Sequence, residues 1–185
     1  MTTGSATGGL EGRIRVTASA LMGIAALAGC SPALDWRESR PAAAGVLMMF
    51  PCRPETRERQ VSLAGRPVRM QVHSCAAADT TFSLGVVDAG GPGEVTPLLA
   101  ALQAGAAANV GSGTPAPRSF SAPGATPNPQ SGLVHMAGHL PDGRAVILDA
   151  AFFVKGMRLY QASVIGEAFP DDASETFFKA IRIAP

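Results

Sequence analysis

Apolar and polar positions alternate with a period of two along most of this chain. Between Pro67 and Cys75, Val68, Met70 and Val72 fall on one side, and Arg69, Gln71 and His73 on the other. That pattern marks a strand with one buried face. Thr80–Val87 repeats it, with Phe82, Leu84 and Val86 facing inward. Val46–Phe50 is an unbroken apolar run, long enough for a buried strand, and Pro51-Cys52-Arg53-Pro54 ends it. Arg59–Leu63 leads into Pro67–Cys75 through Ala64-Gly65-Arg66, a connection short enough for a hairpin. Gly132–Leu140 and Arg144–Val154 flank Pro141-Asp142-Gly143, a turn signal of the same kind. Lys155-Gly156 then turns the chain into Met157–Ile165.

Two segments change period. Leu98, Leu99, Leu102, Ala106 and Val110 form one helical stripe, with Thr96 placed to cap it and Pro97 at the first helical position. The preceding Gly90-Gly91-Pro92-Gly93 reads as a turn, because no Lys-Ser/Thr pair of the P-loop type follows it. Asp172-Ala173-Ser174-Glu175 is a capping-box variant, and Phe177, Phe178 and Ile181 follow at helical spacing. Between the two helices, Gly111–Ser131 carries Pro115, Pro117, Pro123, Pro127 and Pro129. It is too long for a tight connection, so a flexible loop projecting from the domain is expected over 111–131. The elements add up to an α+β domain: an antiparallel sheet of about seven strands with two packed helices. Short connections between strands imply the antiparallel arrangement, and amphipathic helices must cover its faces.

The start of the chain has a different character. Arg13 and Arg15 precede an uncharged stretch from Val16 to Gly29, shorter than the roughly 20 residues a spanning helix needs. The stretch closes on Leu27-Ala28-Gly29-Cys30. This layout resembles a bacterial lipoprotein signal peptide. The resemblance implies cleavage of residues 1–29 as a signal helix, with lipid, palmitate included, on Cys30. Residues 30–44 would then form a lipidated tether and 45–185 a single domain. It also implies a place on the periplasmic side of the cell envelope. Ser31, in place of the Asp that favours inner-membrane retention in the enterobacterial form, leans toward the outer membrane. Trp36 lies in the tether and is expected to pack onto the domain edge rather than sit in lipid.

Composition narrows the function classes. The 185 residues carry 15 Lys and Arg against 14 Asp and Glu. Removing Arg13, Arg15 and Glu11 with the signal leaves a net charge of zero, which argues against a nucleic-acid binder. Of three cysteines, Cys30 goes to lipid. Cys52 and Cys75 remain as an even pair in an oxidising compartment, where a disulfide is expected. A simple meander would set their strands about 9.6 Å apart, beyond the roughly 7 Å that a bridge spans between Cα atoms. Either the Pro51–Pro54 corner folds inward or the two strands are neighbours.

The order of elements over about residues 45–183 resembles the PsbP-like α/β/α sandwich shared by several envelope lipoproteins. The cues are the late hairpin ending in Gly156-Met157-Arg158-Leu159-Tyr160 and the closing helix Glu175–Arg182. That resemblance implies binding or assembly roles and carries no common catalytic set.

The residues themselves offer little catalytic chemistry. His135 and His139, four apart on a strand, share a face but stand about 13 Å apart, too far to hold one ion together. No Gly-x-Ser-x-Gly elbow occurs. Asp171-Asp172 fits a helix start, and Asp149 and Glu167 read as lone acids. No catalytic residue, metal ligand or cofactor is therefore expected. Arg53, Arg57, Arg59, Arg66 and Arg69 crowd the first hairpin and make a candidate basic face for anionic lipid headgroups or envelope polymers. The expectation is a non-catalytic, lipid-anchored envelope protein that binds a protein or polymer partner. The alternatives are a hydrolase with a site near the 111–131 loop, or a purely structural envelope protein.

Overall fold

The computed structural model describes residues 33–184 apart from 114 and 116. The expected signal segment 1–29 and Cys30 lie outside the described residues. The strands are β1 (Arg37–Ser39), β2 (Val46–Phe50), β3 (Glu55–Leu63), β4 (Arg66–Ala77), β5 (Thr80–Asp88), β6 (Gly132–His139), β7 (Ala145–Lys155), β8 (Arg158–Gly166) and β9 (Arg182–Ile183). The helices are α1 (Val95–Asn109), entered through a 3-10 turn at Pro92–Glu94, and α2 (Ala173–Lys179).

The fold is α+β, as the periodicities indicate, but the strands form two antiparallel sheets. Six make a central sheet in the order β3-β4-β5-β8-β7-β6, and β1-β2-β9 make a small one. The expected single sheet of about seven strands is corrected on this point. β2 does not join the meander. Val46, Met48 and Phe50 are buried while Leu47 and Met49 are half-buried, so the run is one-sided. It lies over the central sheet and packs against Phe82, Tyr160 and Phe177 in one core cluster.

Strand register divides the central sheet into two faces. Val68 and Met70 of β4, Val87 of β5, Leu159 of β8, and Leu148, Ala150, Phe152 and Val154 of β7 point to one side. Helix α1 crosses that side and buries Val95, Leu98, Leu99, Leu102, Ala106 and Ala107 against it. Burying each leucine side chain contributes roughly 1.5–3 kcal/mol. The helix begins before the expected Thr96 cap, with Glu94 in the N-cap position and no side-chain cap. The glycine turn is tied by Glu94 itself, whose carboxylate accepts from the Gly90 N–H at 3.0 Å. At its far end α1 lies hard against β6. The His139 N–H donates to the Val110 carbonyl at 2.8 Å, and a Cβ on Gly138 would fall 1.8 Å from that oxygen. Only glycine fits there.

The opposite face carries Phe82, Leu84 and Val86 of β5, Ala151 and Phe153 of β7, and Tyr160, Ala162 and Val164 of β8. The small sheet, α2 and the connection after α1 cover it together. Trp36 packs edge-on to Phe82 with ring centroids 5.6 Å apart, as expected. The segment expected to be a tether is partly structured, because Arg37–Ser39 pairs with β2. Ala43 and Ala44 are pinned by Arg158 and Tyr160, which donate to their carbonyls at 2.8 Å each. Burial raises the Tyr160 pKa above its ordinary value.

The Cys52–Cys75 disulfide is formed, with Cα atoms 5.9 Å apart. Of the two expected geometries the first applies. Cys52 sits in the corner between β2 and β3, and that corner folds inward onto Cys75 of β4.

The proline-rich connection does not project where it is described. Arg118 and Leu133 exchange backbone hydrogen bonds at 2.8 and 2.9 Å. Thr126 donates to Val154 at 2.8 Å and Ile183 donates to Pro123 at 2.9 Å. The segment thus meets β6 at Leu133, β7 at Val154 and β9 at Ile183, and these backbone groups are paired with the domain.

Candidate functional site

A groove of about 860 Å³ opens on the aromatic face. One wall is the extended segment Arg118–Pro123, and the other is the approach to α2 together with α2 itself. Leu133 and Asp149 form its floor. The groove exists because the coverings of this face come from separate parts of the chain and do not meet there. Phe120 bridges the walls, with its ring centroid 5.9 Å from Phe153 and 6.3 Å from Phe178. The lining combines Phe120, Leu133, Phe169, Phe178 and Ile181 with the Asp149 carboxylate in its depth, and Arg118, Asp171, Asp172, Glu175 and Lys179 lie at its rim. Such a mixture suits a ligand that is anchored by apolar contact and oriented by polar groups.

α2 is set by Asp172, which holds the N-cap position in a left-handed conformation (φ 57°) without a side-chain cap. The expected capping box is therefore not made. Glu175 pairs with Lys179 one turn on. That hydrogen bond, reinforced by the ammonium charge, holds the Glu175 carboxyl below its usual range and raises Lys179.

Asp149 was expected to be a lone acid. It is buried, and both its oxygens are engaged. Oδ1 lies 2.6 Å from His135 Nδ1, and Oδ2 accepts from the Ser174 hydroxyl. The carboxylate thus ties β6, β7 and the first turn of α2 to one point beneath the groove. The signal for the His135 contact is in the sequence only once register is known, since His135 stands directly opposite Asp149. The Ser174 contact spans 25 residues and has no local mark. Serine and histidine meet the same carboxylate rather than each other, so Ser174 is not placed as a nucleophile activated by an imidazole.

The five arginines of the first hairpin do not form one face. Arg57 and Arg59 stand opposite Val72 and Met70 and share their side of the sheet. Together with Arg53 they line a recess of about 410 Å³ beside the disulfide. Arg69 belongs to the other side and pairs with Glu58 at 2.9 Å. Arg66 lies at the far end of the hairpin and pairs with Glu94 at 2.9 Å. That hydrogen bond, and then the charge, raise Arg66; the same bond and then the Gly90 N–H lower Glu94.

The third histidine has a structural place. His73 is buried between β3 and the core, with Nδ1 2.8 Å from the Thr56 hydroxyl and Nε2 3.1 Å from Gln71 Oε1. Burial lowers its pKa below the ordinary histidine value. Among the described residues no three His, Cys, Asp or Glu side chains gather in a way that would hold a metal ion. No helix of the described residues is long and apolar enough to cross a membrane.

The sequence matches no family model and no curated protein.

Proposed function

We propose that the protein is a lipid-anchored envelope binding domain without catalytic activity, and that its partner seats in the groove between Arg118–Pro123 and α2. The observation that carries this reading is the groove itself, with Phe120, Leu133, Phe169, Phe178 and Ile181 in its lining and charged side chains at its rim. The Leu27-Ala28-Gly29-Cys30 sequence supports the anchor, and the Cys52–Cys75 bridge fits an oxidising compartment. On this reading the chain faces the periplasm, on the outer more than the inner membrane. The central sheet lies between α1 on one side and α2 with the small sheet on the other, which supports the PsbP-like sandwich. A protein partner suits the groove better than a polymer, because aromatic and aliphatic side chains make up much of its lining.

Two experiments test the reading. Acyl labelling should mark the wild type and vanish in Cys30→Ser; equal labelling of both would refute the anchor. Mild crosslinking in the intact envelope should recover a partner with the wild type and lose it in Ser121→Arg, which crowds the groove from its wall. Recovery unaffected by Ser121→Arg would remove the groove from the account.

One observation favours the hydrolase alternative: His135 is oriented by Asp149, a buried carboxylate that lines the groove. That reading predicts ester or amide hydrolysis abolished by His135→Ala. Unchanged turnover in the variant would discard it.

A further inference from the structure

The chain enters the described domain at the end of the sheet that bears the arginine recess. The Asp35 N–H donates to the Pro51 carbonyl at 3.1 Å, and Cys52 and Arg53 follow directly. Cys30 precedes Asp35 by five residues. At about 3.3–3.6 Å per residue, the covalent chain alone keeps a lipid on Cys30 within roughly 18 Å of this corner. At the same corner Arg53, Arg57 and Arg59 line one recess, with hydroxyls from Ser74 and Thr81 beside them. Glu55 is the only carboxylate in that lining, paired with Arg57 at 3.0 Å. Helix α1 leaves this part of the sheet open, because it crosses from the Arg66–Glu94 contact at the opposite end to the last residues of β6.

We propose that this corner docks on the anionic headgroups of the membrane that holds the anchor, and so fixes the orientation of the domain. The inference rests on acylation of Cys30. The lipid retains the protein, and the arginines orient it. Guanidinium groups suit the phosphates of a lipid surface through paired N–H donors, and such contacts weaken with salt. Asp79 and Glu167 line the adjoining recess with one cation, Arg144, which pairs with Asp142 at 3.3 Å, so the β3 corner approaches the surface and the β5–β8 end tilts away. The groove, on the other face of the sheet, remains open to a partner.

Trp36 is the only tryptophan and lies next to Asp35, which makes it a reporter of this geometry. The mature protein would be reconstituted in phosphatidylcholine vesicles containing brominated lipid, with and without phosphatidylglycerol. Phosphatidylglycerol should raise Trp36 quenching about twofold or more, and salt should reverse the gain. The triple variant Arg53→Gln, Arg57→Gln, Arg59→Gln should lose the gain while its non-reducing gel shift shows the disulfide intact. Arg66→Gln with Arg69→Gln, which removes charge from the other end of the hairpin, should keep it. Quenching independent of phosphatidylglycerol, or equal loss in both variants, would overturn the proposal. Mass analysis of the same preparation separates the two readings. An acylated Cys30 with indifferent quenching overturns the docking alone, and an unmodified Cys30 overturns the anchor and the docking with it.

Discussion

The two faces of the central sheet are closed in different ways. One is crossed by a single helix whose inward stripe is leucine, valine and alanine, over a sheet face on which Phe152 is the only buried aromatic. The other is assembled from β1, β2, the Arg118–Thr126 segment, α2 and β9, which bring Phe50, Phe177 and Phe178 onto Phe82, Phe153 and Tyr160 of the sheet. A helix packs closely along the band it covers and leaves hollows only beyond its flanks, the arginine recess and one of about 690 Å³ beside Leu140, Val146 and Ile165. Separate pieces meet imperfectly, and the groove lies where they fail to meet. The disulfide and the buried polar groups His73 and Asp149 belong to this second face too, where covalent and polar links hold together parts of the chain that are distant in sequence.

The contrast can be broken from either side. Phe177 is fully buried and makes edge contacts with Phe50, Phe82 and Phe178. Phe177→Ala should cost about 4 kcal/mol and collapse the groove wall, so denaturation and partner recovery should both suffer. Leu99→Ala on α1 should cost about 3 kcal/mol and leave partner recovery intact in the folded fraction. Equal loss of recovery in both variants would mean that the faces do not act separately.

Reducing the disulfide, or Cys52→Ala with Cys75→Ala, should cost about 3 kcal/mol by freeing the unfolded chain. Urea denaturation measures it. The penalty should fall on the aromatic face, with hydrogen exchange rising in β2 before α1. Uniform exchange across both faces would contradict the assignment.

The smallest effect is one of pH. His73 has a folded-state pKa below its unfolded value of about 6.5. The unfolded chain therefore binds the proton first as pH falls. Stability should be full above about pH 6.5 and decline below it, down to the depressed folded value. His73→Gln should flatten that part of the stability curve relative to the wild type. A wild-type slope preserved in the variant would place its origin elsewhere.

How far the sequence foretold these faces depends on where each element finds its partners. The α1 face was legible, because a helix stripe and alternating strands carry their burial in local periodicity. The hairpins at Gly65, Gly143 and Gly156 were legible from turn chemistry, and the left-handed φ of 74°, 85° and 57° at these glycines is what that chemistry requires. β3 was foreshortened to Arg59–Leu63 because Glu55–Gln60 lies on an open edge, exposed on both sides and without alternation. The apolar run Val46–Phe50 marked a strand but not its sheet, since burial does not name the neighbour. β1 and β9, of three and two residues, are too short for any period. The groove was hidden for the same reason. Arg118, Asp149 and Ser174 are brought together by pairing in the sheet and by the docking of α2, neither of which leaves a local pattern. Proline content suggested a projecting loop, yet proline also suits an extended segment laid along a sheet edge, and that is its role here.

The central claim is that the pieced-together face, not the helix face, receives a partner. Site-specific photocrosslinking in living cells tests it most directly, with a benzophenone side chain at Ser121 on the groove wall or at Ala104 on the exposed side of α1. The account predicts a discrete adduct from position 121 and none from position 104, with the adduct lost in Phe177→Ala. Adducts from position 104 alone, or equally from both, would contradict it.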